Sequence, residues 1–243
     1  MTVFGVLVLY VFRRICRIGI GPFENTPTTS PVTITSLQET DLSESSRVIG
    51  AAFATEAFTT TALGGTVRQV EGEYTQAIEL LLRAHFEAGQ PVFTATSDGD
   101  VIGVAAITRP GVSWAPFRLT WLFTRHIRVV IRLLKRMDWT GMYHVTRTMR
   151  PPGGLPAAYY RLEAIGVDPA VQGEGVGRAL LDATHELVEH DPGASGIYLV
   201  TGEEATRNLY ERFGYETVET KRSNGVVAYH MFRPNERVRR DDH

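Results

Sequence analysis

Val167-Asp168-Pro169-Ala170-Val171-Gln172-Gly173-Glu174-Gly175-Val176-Gly177-Arg178-Ala179 is the stretch from which the rest of the chain can be read. Before it, Arg161–Val167 has the composition of a strand; after it, Gly177–His190 carries helical periodicity. Three glycines at alternate positions, 173, 175 and 177, therefore occupy the passage from strand to helix. The first turn of a helix exposes N–H groups with no intrahelical acceptor, and the helix dipole favours negative charge there. Glycine lets a ligand come close to that backbone. The stretch thus predicts a phosphate-bearing cofactor gripped mainly by main-chain amides.

Spacing narrows the cofactor. A dinucleotide fingerprint of the form Gly-x-Gly-x-x-Gly, counted from Gly173, would need a third glycine where Arg178 stands. The Gly-Lys-Ser/Thr triplet of a P-loop is absent. Gln172-x-x-Gly175-x-Gly177 does resemble the pyrophosphate-binding pattern of the GNAT superfamily of N-acyltransferases. A second block, Ala205-Thr206-Arg207-Asn208-Leu209-Tyr210-Glu211-Arg212-Phe213-Gly214-Tyr215, resembles that family's Leu-Tyr-Glu-x-x-Gly-Phe/Tyr segment. Ala51-Ala52-Phe53, a long mid-chain insertion and the Asn208–Arg212 neighbourhood are similar to the puromycin N-acetyltransferase branch.

The resemblance implies an α/β (α+β) fold: a mixed, mostly antiparallel central sheet flanked by helices, in a single domain with a helical insertion. It implies acetyl-CoA as cosubstrate and no metal, with an acetyl group moving to the amine of a small molecule by direct attack. Cofactor contacts are implied at Ile165, Gly166 and Val167 on the strand, at Gln172, Gly173, Glu174, Gly175, Val176, Gly177 and Arg178 in the loop, and at Asn208. Many members carry an asparagine seven residues before the tyrosine; this chain has Glu203 there, so that contact is not carried over. A non-catalytic domain that senses acyl-CoA is the rival from another class.

Two residues fit the chemistry. In the family the tyrosine hydroxyl lies beside the cofactor sulfur, which makes Tyr210 the candidate proton donor to the departing thiolate. A phenol near 10 and a thiol near 8.5 differ by about 1.5 units, so transfer costs about 2 kcal/mol. Glu163 is the candidate base that removes the amine proton, at a position where some members hold one. Strict strand alternation puts it on one face with Arg161, Ile165 and Val167; pairing with Arg161 is its structural alternative. Packing against Leu209 and Phe213 is the alternative for Tyr210.

Working outward, Val32–Thr35 alternates like an edge strand, and Glu39–Phe53 and about 70–88 read as amphipathic helices. Val92–Thr96 and Val101–Thr108 flank Asp98-Gly99-Asp100, a hairpin signal. Phe117–Met137 predicts one amphipathic helix with an apolar side that includes Leu119, Leu122, Phe123, Ile127, Val130, Ile131 and Leu134, and a basic outer face. Past the central loop come a buried strand at Gly196–Thr201, a helix at Glu203–Phe213 closed by Gly214, and a hairpin through Ser223-Asn224-Gly225. The domain plan is an extension and linker over 1–31, the acetyltransferase domain over 32–234 with the insertion at 113–150, and a charged tail over 235–243.

Composition agrees with one globular domain: 243 residues, 43% hydrophobic, 21% charged, net charge −2. That charge gives no footprint for nucleic acid. The single cysteine, Cys16, excludes an internal disulfide or a Cys-rich zinc site. The apolar run Val3–Phe12 is half the length of a membrane span and is followed, not preceded, by arginines, unlike a secretory signal. A cytoplasmic protein without a stable membrane span is expected; a homodimer is compatible with the sequence. His185 and His190 are five apart, which turns the second ring off the face of the first and argues against a zinc pair. His144, Tyr143, Trp139, Tyr159 and Tyr160 are candidates to line an acceptor pocket.

Overall fold

Two Gly-containing turns fix the strand registers. Asp98-Gly99 joins β2 (Val92–Ser97) to β3 (Asp100–Thr108), and Asn224-Gly225 joins β6 (Glu216–Ser223) to β7 (Val226–Pro234). In both turns both central residues have positive φ (+52° and +93°, +48° and +81°), the geometry whose twist matches that of the flanking strands. The structure, a computed structural model, describes residues 31–53, 67–111, 126–136 and 138–237. The predicted extension, with Cys16, lies outside the described residues, as does most of the charged tail.

Seven strands form one sheet in the order β1-β2-β3-β4-β5-β7-β6, where β1 is Thr33–Ser36, β4 Tyr160–Val167 and β5 Gly196–Thr201. Every neighbouring pair is antiparallel except β4 with β5. Helices α1 (Leu42–Phe53) and α2 (Val67–Glu87) cover one face and pack on each other, with the Phe53 and Tyr74 rings 5.7 Å apart. Leu42, Val48, Ile49 and Phe53 of α1 are all buried; each such side chain contributes about 1.5–3 kcal/mol. Helix α5 (Val176–Glu189) lies on the opposite face. Two glycines mark the sides: a Cβ on Gly103 would sit 2.8 Å from Val176 of α5, and one on Gly166 would sit 3.2 Å from Ala52 and Ile49 of α1.

Those glycines expose a departure from strict alternation. Along β3 and β4 the register pairs Thr108 with Arg161 and Ile107 with Leu162, then Ala106 with Ala164. Glu163 is the extra residue of a β-bulge, a device that re-aims a side chain. Gly166 therefore faces α1, and Val167, paired with Gly103, faces α5. Arg161 and Glu163 stay on the α1–α2 side, whereas Ile165 and Val167 turn to the other, so the predicted shared face breaks at the bulge.

The insertion also differs from its reading. Residues 112–125 lie outside the described residues, and the remainder forms two helices, α3 (Ile127–Arg136) and α4 (Trp139–Thr148). Asp138 separates them by capping α4, its carboxylate accepting from the Thr140 amide at 3.0 Å. Val130 is buried, but Ile127 and Ile131 are 41% and 43% exposed, because α3 rests mainly on α2 and covers a narrow stripe. The α4 residue Val145, with Met149 just beyond the helix, packs with Tyr198, Val200, Val226, Ala228 and Phe232 in a second small core on the far half of the sheet.

Candidate active site

Where β4 ends, Asp168 caps a single 3₁₀ turn (Pro169–Val171), its carboxylate accepting from the Ala170 amide at 3.0 Å. Gly173 and Gly175 follow with φ of +93° and +86°, a left-handed backbone that side chains resist. Gly175 is the N-cap of α5, and the first helical bond runs from the Ala179 amide to its carbonyl at 3.0 Å. The amides of Val176, Gly177 and Arg178 thus have no acceptor within the helix. The Arg178 side chain is largely exposed and lies 3.7 Å from Asp182, so the groups presented at this helix start are backbone amides. Gln172 sits exposed at the end of the 3₁₀ turn.

β4 and β5 pair at two positions only, Tyr160 with Ile197 and Arg161 with Tyr198. Both strands continue, to Val167 and Thr201, without pairing to each other. The sheet therefore splits into a wedge. Its β4 side is the edge of residues 162–167, all buried, about 20 Å of strand with half of its backbone groups lacking a strand partner. Ile165, Gly166 and Val167 occupy this edge beside the glycine loop. On the other side β5 leads into α6 (Glu204–Arg212), which carries Tyr210.

Tyr210 is fully buried, and its hydroxyl has no hydrogen-bond partner among the described residues. A buried hydroxyl left unpaired costs about 1–3 kcal/mol. Burial, and then the neighbouring Tyr215, push its pKa well above that of an ordinary phenol. Asn208, on the same helix, is exposed, and its carboxamide accepts from Arg207 at 2.7 Å, turned to its own neighbour and not to the loop. Glu203 is the N-cap residue of α6 but makes no side-chain capping bond.

Behind Tyr210, the Tyr215 ring is 5.3 Å away and its hydroxyl meets His185 Nε2 at 3.0 Å. Burial, reinforced by the Arg233 charge, lowers the His185 pKa to about 3. This histidine is held neutral within the fold and away from His190, which is exposed; no group of metal-ligating residues occurs among the described residues. An unfolded histidine titrates near 6.5, so as pH falls the unfolded chain takes up the proton first. Stability from His185 is complete above about pH 7 and drains away toward pH 3. Between pH 7 and pH 5 the loss is about 2 kcal/mol. Urea midpoints at the two pH values check this: His185→Gln should flatten the dependence, and an unchanged dependence rules the residue out as its source.

Glu163 is 2% exposed. The Thr108 hydroxyl donates to its Oε1 at 3.0 Å, and Arg161 Nε lies 3.8 Å from the same oxygen. Thr108 Oγ1 is also 3.3 Å from Nε2 of the buried His85, whose Nδ1 donates to the Leu81 carbonyl at 2.9 Å. The carboxylate is thus held by β3 and α2 together. Burial opposes the charge of Arg161, but Glu163 and the phenols of Tyr198 and Tyr159 outweigh it, so the guanidinium stays charged. A cavity of about 230 Å³ opens beside this group, between the end of β3 and the start of β4, with Thr108, Tyr159 and Arg161 in its lining.

Of the predicted pocket residues, only Tyr159 reaches that cavity. The Tyr160 hydroxyl donates instead to Asp191 at 2.9 Å. Trp139 and Tyr143 are more than half exposed, and His144 Nδ1 meets Ser223 Oγ at 2.7 Å beside the β6–β7 turn.

A seven-stranded sheet that splits beside a glycine-lined helix start defines an α/β protein with an open strand edge next to unpaired helix amides. Residues 139–217, which contain β4, the loop, α5, β5 and α6, match the family model of the acetyltransferase (GNAT) domain. Over 87 residues, 33% of its length, the chain is 38% identical to the N-alpha-acetyltransferase RimI of Mycobacterium tuberculosis, and it spans 52% of the length of that relative. The fold is shared with a Corynebacterium glutamicum protein described as histone acetyltransferase HPA2 and related acetyltransferase, at a TM-score of 0.61 and 18% identity over 85% of this chain and 97% of the other. It is shared also with an acetyltransferase of the GNAT family from Streptococcus pneumoniae, at a TM-score of 0.50 and 14% identity over 84% and 99%.

Proposed function

We propose that this chain is an acetyl-CoA-dependent N-acetyltransferase that acts on the primary amine of a small molecule. The observation that carries this reading is the wedge: β4 and β5 pair at two positions and part beside a helix start with free amides. A pantetheine arm has two amide groups along an extended chain, which suits the unpaired β4 edge. Its diphosphate suits the amides of Val176, Gly177 and Arg178. The orphaned Tyr210 hydroxyl, buried and short of one partner, suits the sulfur.

In this reading the amine nitrogen attacks the thioester carbonyl carbon, and the carbon–sulfur bond breaks. The proton lost by nitrogen goes to Glu163, and the thiolate takes one from Tyr210. Holding both reactants in line contributes on the order of 7–11 kcal/mol, which is the task of the loop and the strand edge. Thr108 and His85 keep the Glu163 carboxylate aimed. The metal-free, cytoplasmic character expected from the sequence is part of the same proposal; among the described residues no helix is long and apolar enough to cross a membrane. A peptide N-terminus is the second acceptor class, favoured by the N-alpha-acetyltransferase name of the Mycobacterium relative.

Calorimetry with acetyl-CoA tests the proposal. Binding is expected, and millimolar acetyl-CoA without heat would refute it. Gly175→Ala adds a methyl group into open space, but at φ +86° it strains the backbone by about 1–2 kcal/mol. Affinity for acetyl-CoA should fall about tenfold as the loop relaxes away from its amide-presenting form. Gly89→Ala, also at positive φ (+62°) with open space, should lower stability without touching that affinity. Equal affinity in all three proteins would remove the loop from the binding site.

A further inference from the structure

The cavity is lined by Thr108 and Arg161, the two partners of the Glu163 carboxylate behind them, and holds one more piece of chemistry. Arg161 is a charged side chain with 13% exposure whose partners are the Glu163 carboxylate and the Tyr159 hydroxyl, fewer than its five donors can serve. Its ion pair with Glu163 is a single contact of 3.8 Å through Nε, and its planar face rests over the Tyr198 ring at 5.5 Å. The other arginine at the cavity, Arg109, has its guanidinium donating to the Gly89 carbonyl at 2.8 Å. Arg161 thus presents a rigid fork, preset for a carboxylate, a few ångströms from the carboxylate of Glu163.

We infer that the acceptor is a small amine bearing its own carboxylate a few bonds from the nitrogen, as in a free amino acid, with Arg161 taking the carboxylate and Glu163 the ammonium. The inference rests on the acetyltransferase reading and narrows its substrate. The two protein charges face each other at 3.8 Å; a zwitterion laid alongside them, head to tail, gives each a second partner of opposite sign. Amine and carboxylate in an amino acid are separated by about the same span. A cavity of about 230 Å³ is below the usual range for drug-sized ligands and matches an acceptor of amino-acid size. Uncharged amines would leave the Arg161 fork desolvated and unmatched, the kind of mispairing that separates substrates strongly.

Thiol release with acetyl-CoA, measured on the twenty free amino acids, their C-terminal amides and short peptides, tests this. The wild-type protein should turn over at least one acid with a kcat/KM about 10²-fold above its amide, the difference lying mainly in KM. Arg161→Gln should lower the rate on that acid about 10²-fold and bring acid and amide to parity, and Arg161→Lys should recover part of the preference. Amides or peptides used as well as acids, or no acid used at all, would overturn the assignment. The wild-type comparison needs no variant to fold. Calorimetry with acetyl-CoA keeps the two readings apart: heat with no acid preference removes only the carboxylate assignment, and no heat removes the acetyltransferase reading beneath it.

Discussion

Tyr210→Phe should lower kcat about 10²-fold or more and, in the ligand-free protein, leave stability unchanged or raise it. The first half follows from the role of an acid that protonates a leaving thiolate, a contribution of about 10²–10⁴-fold. Burial raises the Tyr210 pKa, and a thiol in the same water-poor wedge is raised as well, so the cost of transfer is set by their difference. The second half follows from the hydroxyl itself. It is buried with no partner among the described residues, so phenylalanine removes a desolvated polar group and keeps the ring against Tyr215. Steady-state rates and urea unfolding on the same samples decide the matter. A slow variant that is also less stable would indicate a packing role. Full activity would end the assignment, and acetyl-CoA binding with no turnover in either protein would favour an acyl-CoA sensor.

Glu163→Gln should cost a similar factor in kcat/KM, about 10²–10⁴-fold, and should change the pH–rate profile. Glutamine keeps the shape and can still accept from Thr108 through its carbonyl oxygen, so the proton-accepting charge is the main thing removed. Thr108→Val is the informative companion: it leaves the carboxylate and deletes the hydroxyl that aims it, so the loss should be smaller. A Glu163→Gln profile that overlays the wild type would mean the amine loses its proton by another route. Melting curves are needed for both, since Arg161 loses its carboxylate partner in the first.

The parts legible in the sequence were those written in short spans. The strand–loop–helix passage over residues 161–190, the turns at Asp98-Gly99 and Asn224-Gly225, and Gly214 closing α6 each depend on local chemistry that a few residues carry. Asp138 also carries a readable capping signal, one residue past the apolar spacing of Phe117–Met137. The support around Glu163 was not legible. Thr108 is 55 residues from Glu163 and 23 from His85, and only the β3–β4 register and the packing of α2 bring the three together. The wedge was equally hidden, because nothing in the sequence of β4 or β5 says how far two parallel strands stay paired. His144 looked suited to a pocket and serves instead to fasten α4 to the β6–β7 turn.

The bulge gives one helix two successive side chains from a single strand: Glu163 and Ala164 both look toward α1. Excising Glu163 would rejoin Leu162 to Ala164 in ordinary zigzag, with Arg161 still opposite Thr108 and Leu162 still opposite Ile107. The oily and polar sides of the strand would survive the cut. A chain shortened by that one position should therefore fold and bind yet fail to turn over, because the spare residue serves chemistry and not architecture.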